Sequence, residues 1–216
     1  AELLTVLGII GVLVTLSVPA LRGVSEGTGM MQALTRIGGT LDLARNYAVA
    51  NNTHTWVAFT ENAEAGDSLI RLVAFASRTG TNLDSEEGGA LVEFPTDNVE
   101  LISPIETLRQ VRLTGAIPDN NGLKSSEALA SAGEITEFPS SSVGLQIKVQ
   151  ERTFTRSIHF KPSGEAAIEN VLPETIQIVV IPEKVVGQPV NEKDERQASV
   201  IRVSGLTGQA VVYQPR

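Results

Sequence analysis

AELLTVLGIIGVLVTLSVPAL, residues 1–21, sets one carboxylate, Glu2, against an apolar run from Leu3 to Leu21 that holds no other ionisable group. A helix through that run would be about 28 Å long, close to the thickness of a bilayer core. A carboxylate in hydrocarbon is costly unless it is protonated or paired, so Glu2 reads as a group awaiting a partner. A cleaved secretory segment would begin with basic residues, yet no Lys or Arg precedes Arg22. A buried core helix would need a larger α domain around it, which the rest of the chain does not supply. The segment therefore reads as a transmembrane helix.

Pro19 interrupts the run near its far end, and Gly23, Gly27 and Gly29 follow. Proline removes a helical hydrogen bond and each glycine costs about 1 kcal/mol relative to alanine, so the spacing predicts a kinked or partly melted stretch here. Beyond it, Leu21, Val24, Met31, Leu34, Ile37, Leu41, Ala44 and Ala48 recur mostly three or four apart, with Arg36, Asp42, Arg45 and Asn46 between them. This is the pattern of an amphipathic helix, and Asn51-Asn52 is its expected C-cap.

From Thr53 onward the period changes. His54 to Phe59 and Leu69 to Phe75 flank a polar Glu- and Gly-containing loop, the signature of a hairpin. Further strands are expected at 90–94, 108–113, 143–149, 154–160, 176–181, 200–203 and 210–213, most of them bounded by Gly, Pro, Asn or Ser. Long polar connections fall at 79–89, 118–137 and 183–197, the last reading as a solvated charged loop. The fold class expected is thus α+β: a long N-terminal α-helix, transmembrane in its first half and amphipathic in its second, packed on an antiparallel β-sheet or β-sandwich. Residues 1–52 form the helical part, with 1–21 as membrane or filament core, and residues 53–216 the β-rich globular domain.

With 216 residues, a net charge of −8 and a pI near 4.9, the chain has no broad basic face, which argues against nucleic acid as a partner. Arg152, Arg156 and Arg216 could touch DNA only against that charge. Cysteine is absent, which removes disulfides and thiol chemistry together. His54 and His159, the two histidines, stand in strand patterns without a Cys or paired carboxylate at ligand spacing, so a structural or surface role is expected. There is no G-x-S-x-G elbow and no phosphate-cradling glycine loop. Asp84, Glu86 and Glu87 could offer oxygens to calcium, but the alternation of an EF-hand loop is missing. The expectation is no enzyme, no catalytic or metal-binding residue and no cofactor.

Glu2, the run Leu3-Leu4-Thr5-Val6-Leu7-Gly8-Ile9-Ile10-Gly11 and Pro19, seventeen residues after the glutamate, together resemble the N-terminal segment of type IV pilins and type II secretion pseudopilins. Three other stretches resemble the H-type minor pseudopilins and related minor pilins within that family. They are Leu43 to Asn52 with its Ala44-Arg45 pair, Ser157 to Gly164, and Val200 to Gln209. The resemblance implies a structural subunit of a pilus-like or pseudopilus filament serving adhesion or protein transport. It implies single-pass residence in the cytoplasmic membrane before assembly, with the globular domain outside the cytoplasm and the filament periplasmic or extracellular. By the same analogy, three mature residues and a leader cut by a prepilin peptidase precede Ala1, and the new N-terminus is methylated. The partners implied are other pilins or pseudopilins in a homo- or hetero-oligomeric filament, the membrane, the assembly machinery and the peptidase. The assembly residues are Glu2, pairing with a neighbour's α-amine, Gly8 and Gly11, permitting close helix approach, and Pro19, letting the rod bend. The alternative is a single-pass membrane protein that never polymerises and whose β domain binds a ligand or partner.

Overall fold

Trp56, Val57, Ala58 and Phe59 are all fully buried, although successive residues of a strand point to opposite faces. The strand that carries them is therefore covered on both sides. In the computed structural model it lies at the middle of a layered arrangement. The structure describes residues 29–64, 67–83, 91–119, 121–123, 129, 134–139, 145–168, 171–183 and 192–215.

A helix over residues 29–51 (α1) leads through a short turn into β1 (Thr55–Glu64), which pairs antiparallel with β2 (Asp67–Ser77) from Thr55↔Ala76 to Glu64↔Asp67. This is the hairpin expected from the sequence. The strands that follow are β3 (Leu91–Phe94), β4 (Val99–Leu101), β5 (Glu106–Arg109), β6 (Val111–Thr114), β7 (Ile135–Glu137), β8 (Gln146–Val149) and β9 (Arg152–Phe154). After them come β10 (Arg156–Phe160), β11 (Ala166–Ala167), β12 (Thr175–Pro182), a short helix α2 (Glu192–Arg196), β13 (Ser199–Ser204) and β14 (Ala210–Tyr213). The first sheet runs β11-β10-β1-β2-β4 with β5 also on β2, the second runs β14-β13-β12-β6 with β7 also on β12, and the third runs β3-β8-β9. Pairing is antiparallel except for β7 on β12 and β3 on β8, which are parallel.

Facing rows explain the layers. Val57, Phe59, Ile70, Leu72 and Ala74 of the first sheet meet Ile176, Ile178, Val180, Ile201 and Val203 of the second, together with Leu34, Ile37, Leu41, Ala44 and Ala48 of α1. The opposite row, Trp56, Ala58, Val73 and Phe75, packs on Leu145, Ile147, Val149 and Phe154 around the third sheet. The outer face of the second sheet is closed by Leu123, Leu129 and Ala198. Near-continuous apolar strands are what double coverage requires.

The helix ends as its sequence predicts. Asn52 takes the left-handed conformation (φ 48°), and Thr53 N–H donates to the Ala48 carbonyl at 3.0 Å, the bond of a Schellman cap. Thr55 Oγ1 donates to the Ala44 carbonyl at 2.9 Å, which ties the last turns to the start of β1.

The α+β expectation with its long, half-transmembrane helix is corrected. Among the described residues strand makes up 46% and helix 20%, so the class is mostly β. The longest described helix has 23 residues and only one apolar side. Around the rest of its surface it carries Arg36, Asp42 and Arg45, groups that hydrocarbon would not accept. Among the described residues no helix is long and apolar enough to cross a membrane, and the expected single-pass anchorage in the cytoplasmic membrane is corrected on that finding. Leu3 to Leu21, on which the membrane reading rested, lies outside the described residues.

Two expected strands are in fact two strands each. The stretch 108–113 breaks at Gln110 (φ 60°), so that β5 joins the first sheet and β6 the second. The stretch 154–160 breaks at Thr155, whose N–H donates to Phe59 O at 3.1 Å, so that β9 lies in the third sheet and β10 in the first. Met31, placed on the buried stripe by spacing, is 53% exposed because it falls on the flank of α1.

Candidate functional site

Arg45 is the point at which the three stretches of subgroup resemblance meet. It projects from α1 toward the turn between β13 and β14, and its Nε donates to the Thr207 carbonyl at 2.5 Å. That turn is shaped by Gly208 (φ 64°), whose N–H donates to Ser204 O at 2.7 Å, while Ser204 N–H donates to Gln209 O at 3.0 Å. Ser204 thus faces two residues, a bulge that needs a glycine in the left-handed region. The β10–β11 turn comes up beside it. There Gly164 (φ 88°) donates its N–H to Lys161 O at 2.8 Å, and Lys161 pairs with Glu165 at 3.2 Å. A side chain on Gly164 would press on Val49, and one on Gly208 would run into the Gly164 carbonyl and Arg45 Cδ. The helix, the Gly164 turn and the Gly208 turn are in mutual contact.

The other flank of α1 is held by polar groups at the edge of the first sheet. Arg36 Nη1 meets Glu106 Oε2 at 2.6 Å, with both side chains about one third exposed. The Tyr47 hydroxyl donates to Glu100, and Arg78 Nε lies 3.7 Å from the same carboxylate. The hydrogen bond to Glu100, with burial adding to it, raises the Tyr47 pKa above its ordinary value. The unfolded chain therefore loses this phenolic proton first, so the contribution is complete below about pH 10 and is lost as pH rises through the higher folded value. Tyr47→Phe is expected to remove that alkaline loss, leaving a flatter curve of urea midpoint against pH above about pH 9.5. An unchanged curve would show that Tyr47 does not titrate with folding.

A second group lies at the start of β1. His54 Nδ1 and His159 Nε2 are 2.7 Å apart, and the His159 ring stacks on Trp56 at 4.8 Å. His159 is buried and His54 half-buried. The two rings, for which a structural or surface role is expected, meet across the β1–β10 pair.

Arg156, considered for DNA contact beside Arg152, is buried and sits in a different strand. It pairs with Glu61 at 2.9 Å and lies over the Phe138 ring at 5.1 Å. Burial lowers the pKa of Arg202, with Tyr213 opposing. Its guanidinium is occupied by Gln177 Oε1 at 3.1 Å and 3.3 Å and Leu129 O at 3.0 Å. The charged loop expected to be solvated contains α2, none of whose side chains is buried. Among the described residues no cluster of three His, Asp or Glu side chains could hold a metal ion. Glu2, Gly8, Gly11 and Pro19 lie outside the described residues, as do Asp84, Glu86, Glu87 and Arg216.

Sequence reasoning named the three stretches but not their meeting, and it missed the partners of Arg36, Tyr47 and the histidines. Those partners are 53 to 105 positions away. The chemistry of this junction is attachment: each polar atom at its centre fixes α1 to a strand or turn. No protein-family model, no curated protein and no solved structure matches the chain.

Proposed function

We propose that the chain is a structural subunit of a filament of the type IV pilus or type II secretion pseudopilus kind. The observation that carries this reading is a lone acid, Glu2, ahead of an uncharged apolar run with Pro19 at the pilin spacing. Support comes from the junction at Arg45, where the three stretches of subgroup resemblance touch. In this reading the apolar segments of neighbouring subunits pack side by side, and Glu2 of one pairs with the α-amine of the next. A carboxylate buried alone is strongly unfavourable, and a buried amine beside it restores neutrality and adds a charge-assisted hydrogen bond. The unmet charge thereby selects the register in which subunits join. Gly8 and Gly11 let the helices approach closely.

Glu2→Ala is the test. The β-rich part should keep the wild-type urea midpoint, while the amount of protein recovered in sheared filaments drops by about tenfold or more, the loss expected for an uncompensated buried charge. Glu2→Gln keeps the shape and loses the charge, and should fail in the same way. Normal incorporation of both variants would refute the pairing, and recovery of the wild type only as a monomer would refute the filament.

A further inference from the structure

Met31, Val49, Leu206, Val211 and Val212 are exposed apolar side chains on α1, on the β13–β14 turn and on β14, elements that meet along one seam. Gln214 Nε2 lies 3.0 Å from Met31 Sδ at one end of that seam, and Arg45 holds Thr207 at the other. β14 pairs with β13, and among the described residues no strand pairs with its outer edge. Since Ser204 N–H bonds Gln209 O, alternation along the ladder turns the backbone groups of Val211 and Tyr213 toward β13. Those of Ala210, Val212 and Gln214 then point outward.

Edge strands are normally blunted by lysine, proline or a bulge. Here no charged residue occurs from Val203 to Pro215, and two adjacent valines, Val211 and Val212, are 43% and 40% exposed on opposite faces. An outward edge of this kind takes an extended, uncharged strand. The strand that fits it is β14 itself, which is self-complementary when run antiparallel about Val212. Val212 then opposes Val212 of the second copy as a hydrogen-bonded pair, Val211 opposes Tyr213, and Ala210 opposes Gln214. Each outward N–H and C=O finds a partner. The two Val212 side chains lie on the face toward α1, because Val212 pairs with Ile201, which belongs to the core that α1 covers.

We infer that β14 is a docking edge for a second copy of this chain, the two copies related by a two-fold axis through Val212. Such a contact is isologous and closed, whereas a filament repeats a head-to-tail contact. The inference is therefore independent of the filament reading, and Glu2→Ala leaves it untouched. A net charge of −8 on each copy opposes association, so the pair should tighten as salt rises.

Sedimentation of the full chain over a concentration series tests this. The expected result is a monomer–dimer equilibrium that strengthens with salt. Val212→Lys, which would set two like charges directly opposite, should weaken it about tenfold or more. Leu206→Lys, outside the register, should shift it by less than about twofold. In the wild type, hydrogen exchange at Ala210, Val212 and Gln214 should slow with concentration, while Val211 and Tyr213, already bonded to β13, should not change. A monomer throughout, an association unmoved by Val212→Lys, equal weakening by Leu206→Lys, or concentration-dependent protection confined to other segments would each overturn the inference.

Discussion

Gly205→Ala is expected to cost about 3 kcal/mol, a large share of the stability of an ordinary domain. A Cβ there would overlap the backbone carbonyl of Pro173, an atom that cannot swing aside as a flexible side chain would. Moving either chain away breaks two bonds at once, because Gly205 N–H donates to Glu174 O at 2.9 Å and Gly205 O accepts from Ala166 N–H at 2.7 Å. Overpacking at about 1–3 kcal/mol and weakened hydrogen bonds at about 1 kcal/mol each give the estimate. Gly38→Ala is the matched control. It lies within α1 with nothing inside 4 Å of a new methyl group, and it should stabilise by about 0.5–1 kcal/mol. Urea midpoints of the two variants should move in opposite directions. A Gly205→Ala midpoint within error of wild type would mean that the β13–β14 turn does not press on Pro173.

Leu41→Ala should be comparably severe, at about 3 kcal/mol. Leu41 is fully buried where α1 meets the inner rows of the first and second sheets, so the space it leaves is bounded by both sheets and cannot collapse easily. Leu43, two residues on, faces outward, and Leu43→Ala should cost no more than about 0.5 kcal/mol. The contrast reads the rotational setting of α1 directly from urea unfolding. Equal losses at the two positions would show that the helix does not rest on the sheets by the stripe Leu34, Ile37, Leu41, Ala44 and Ala48.

The stripe itself was legible, because its spacing is a local property that burial then obeys, as was its end at Asn52, where asparagine tolerates the left-handed conformation. The hairpin of β1 and β2 was legible for the same reason. What local patterning could not carry was the division of strands between sheets. Nothing about Gln110 or Thr155 announces a change of partner, since neither is a glycine or proline, and the apolar residues on each side are equally suited to one strand or two. The dominance of strand was masked by the opening apolar run, which drew the α+β expectation from residues outside those described. The junction at Arg45 was half legible. Glycines at 164 and 208 mark turns by their chemistry, but their apposition depends on β10, β11 and β13 being brought together by pairings that no short stretch contains. The burial of Arg156 was not legible either, since its partners Phe138 and Glu61 are distant in sequence and satisfy the guanidinium inside the protein.

The helix passes into β1 within four residues of its last turn, and β1 is flanked on both sides, by β10 and by β2. Tension applied along α1 therefore enters the sheet through a strand held by two antiparallel neighbours. The ladder bonds lie across the direction of pull, so they bear the load together in shear instead of peeling apart one after another. The grips of Arg36, Arg45 and Tyr47 on either flank divert part of that force into the first and second sheets before it reaches β1. A chain wired in this way resists stretching along α1 more strongly than it resists prying at β14.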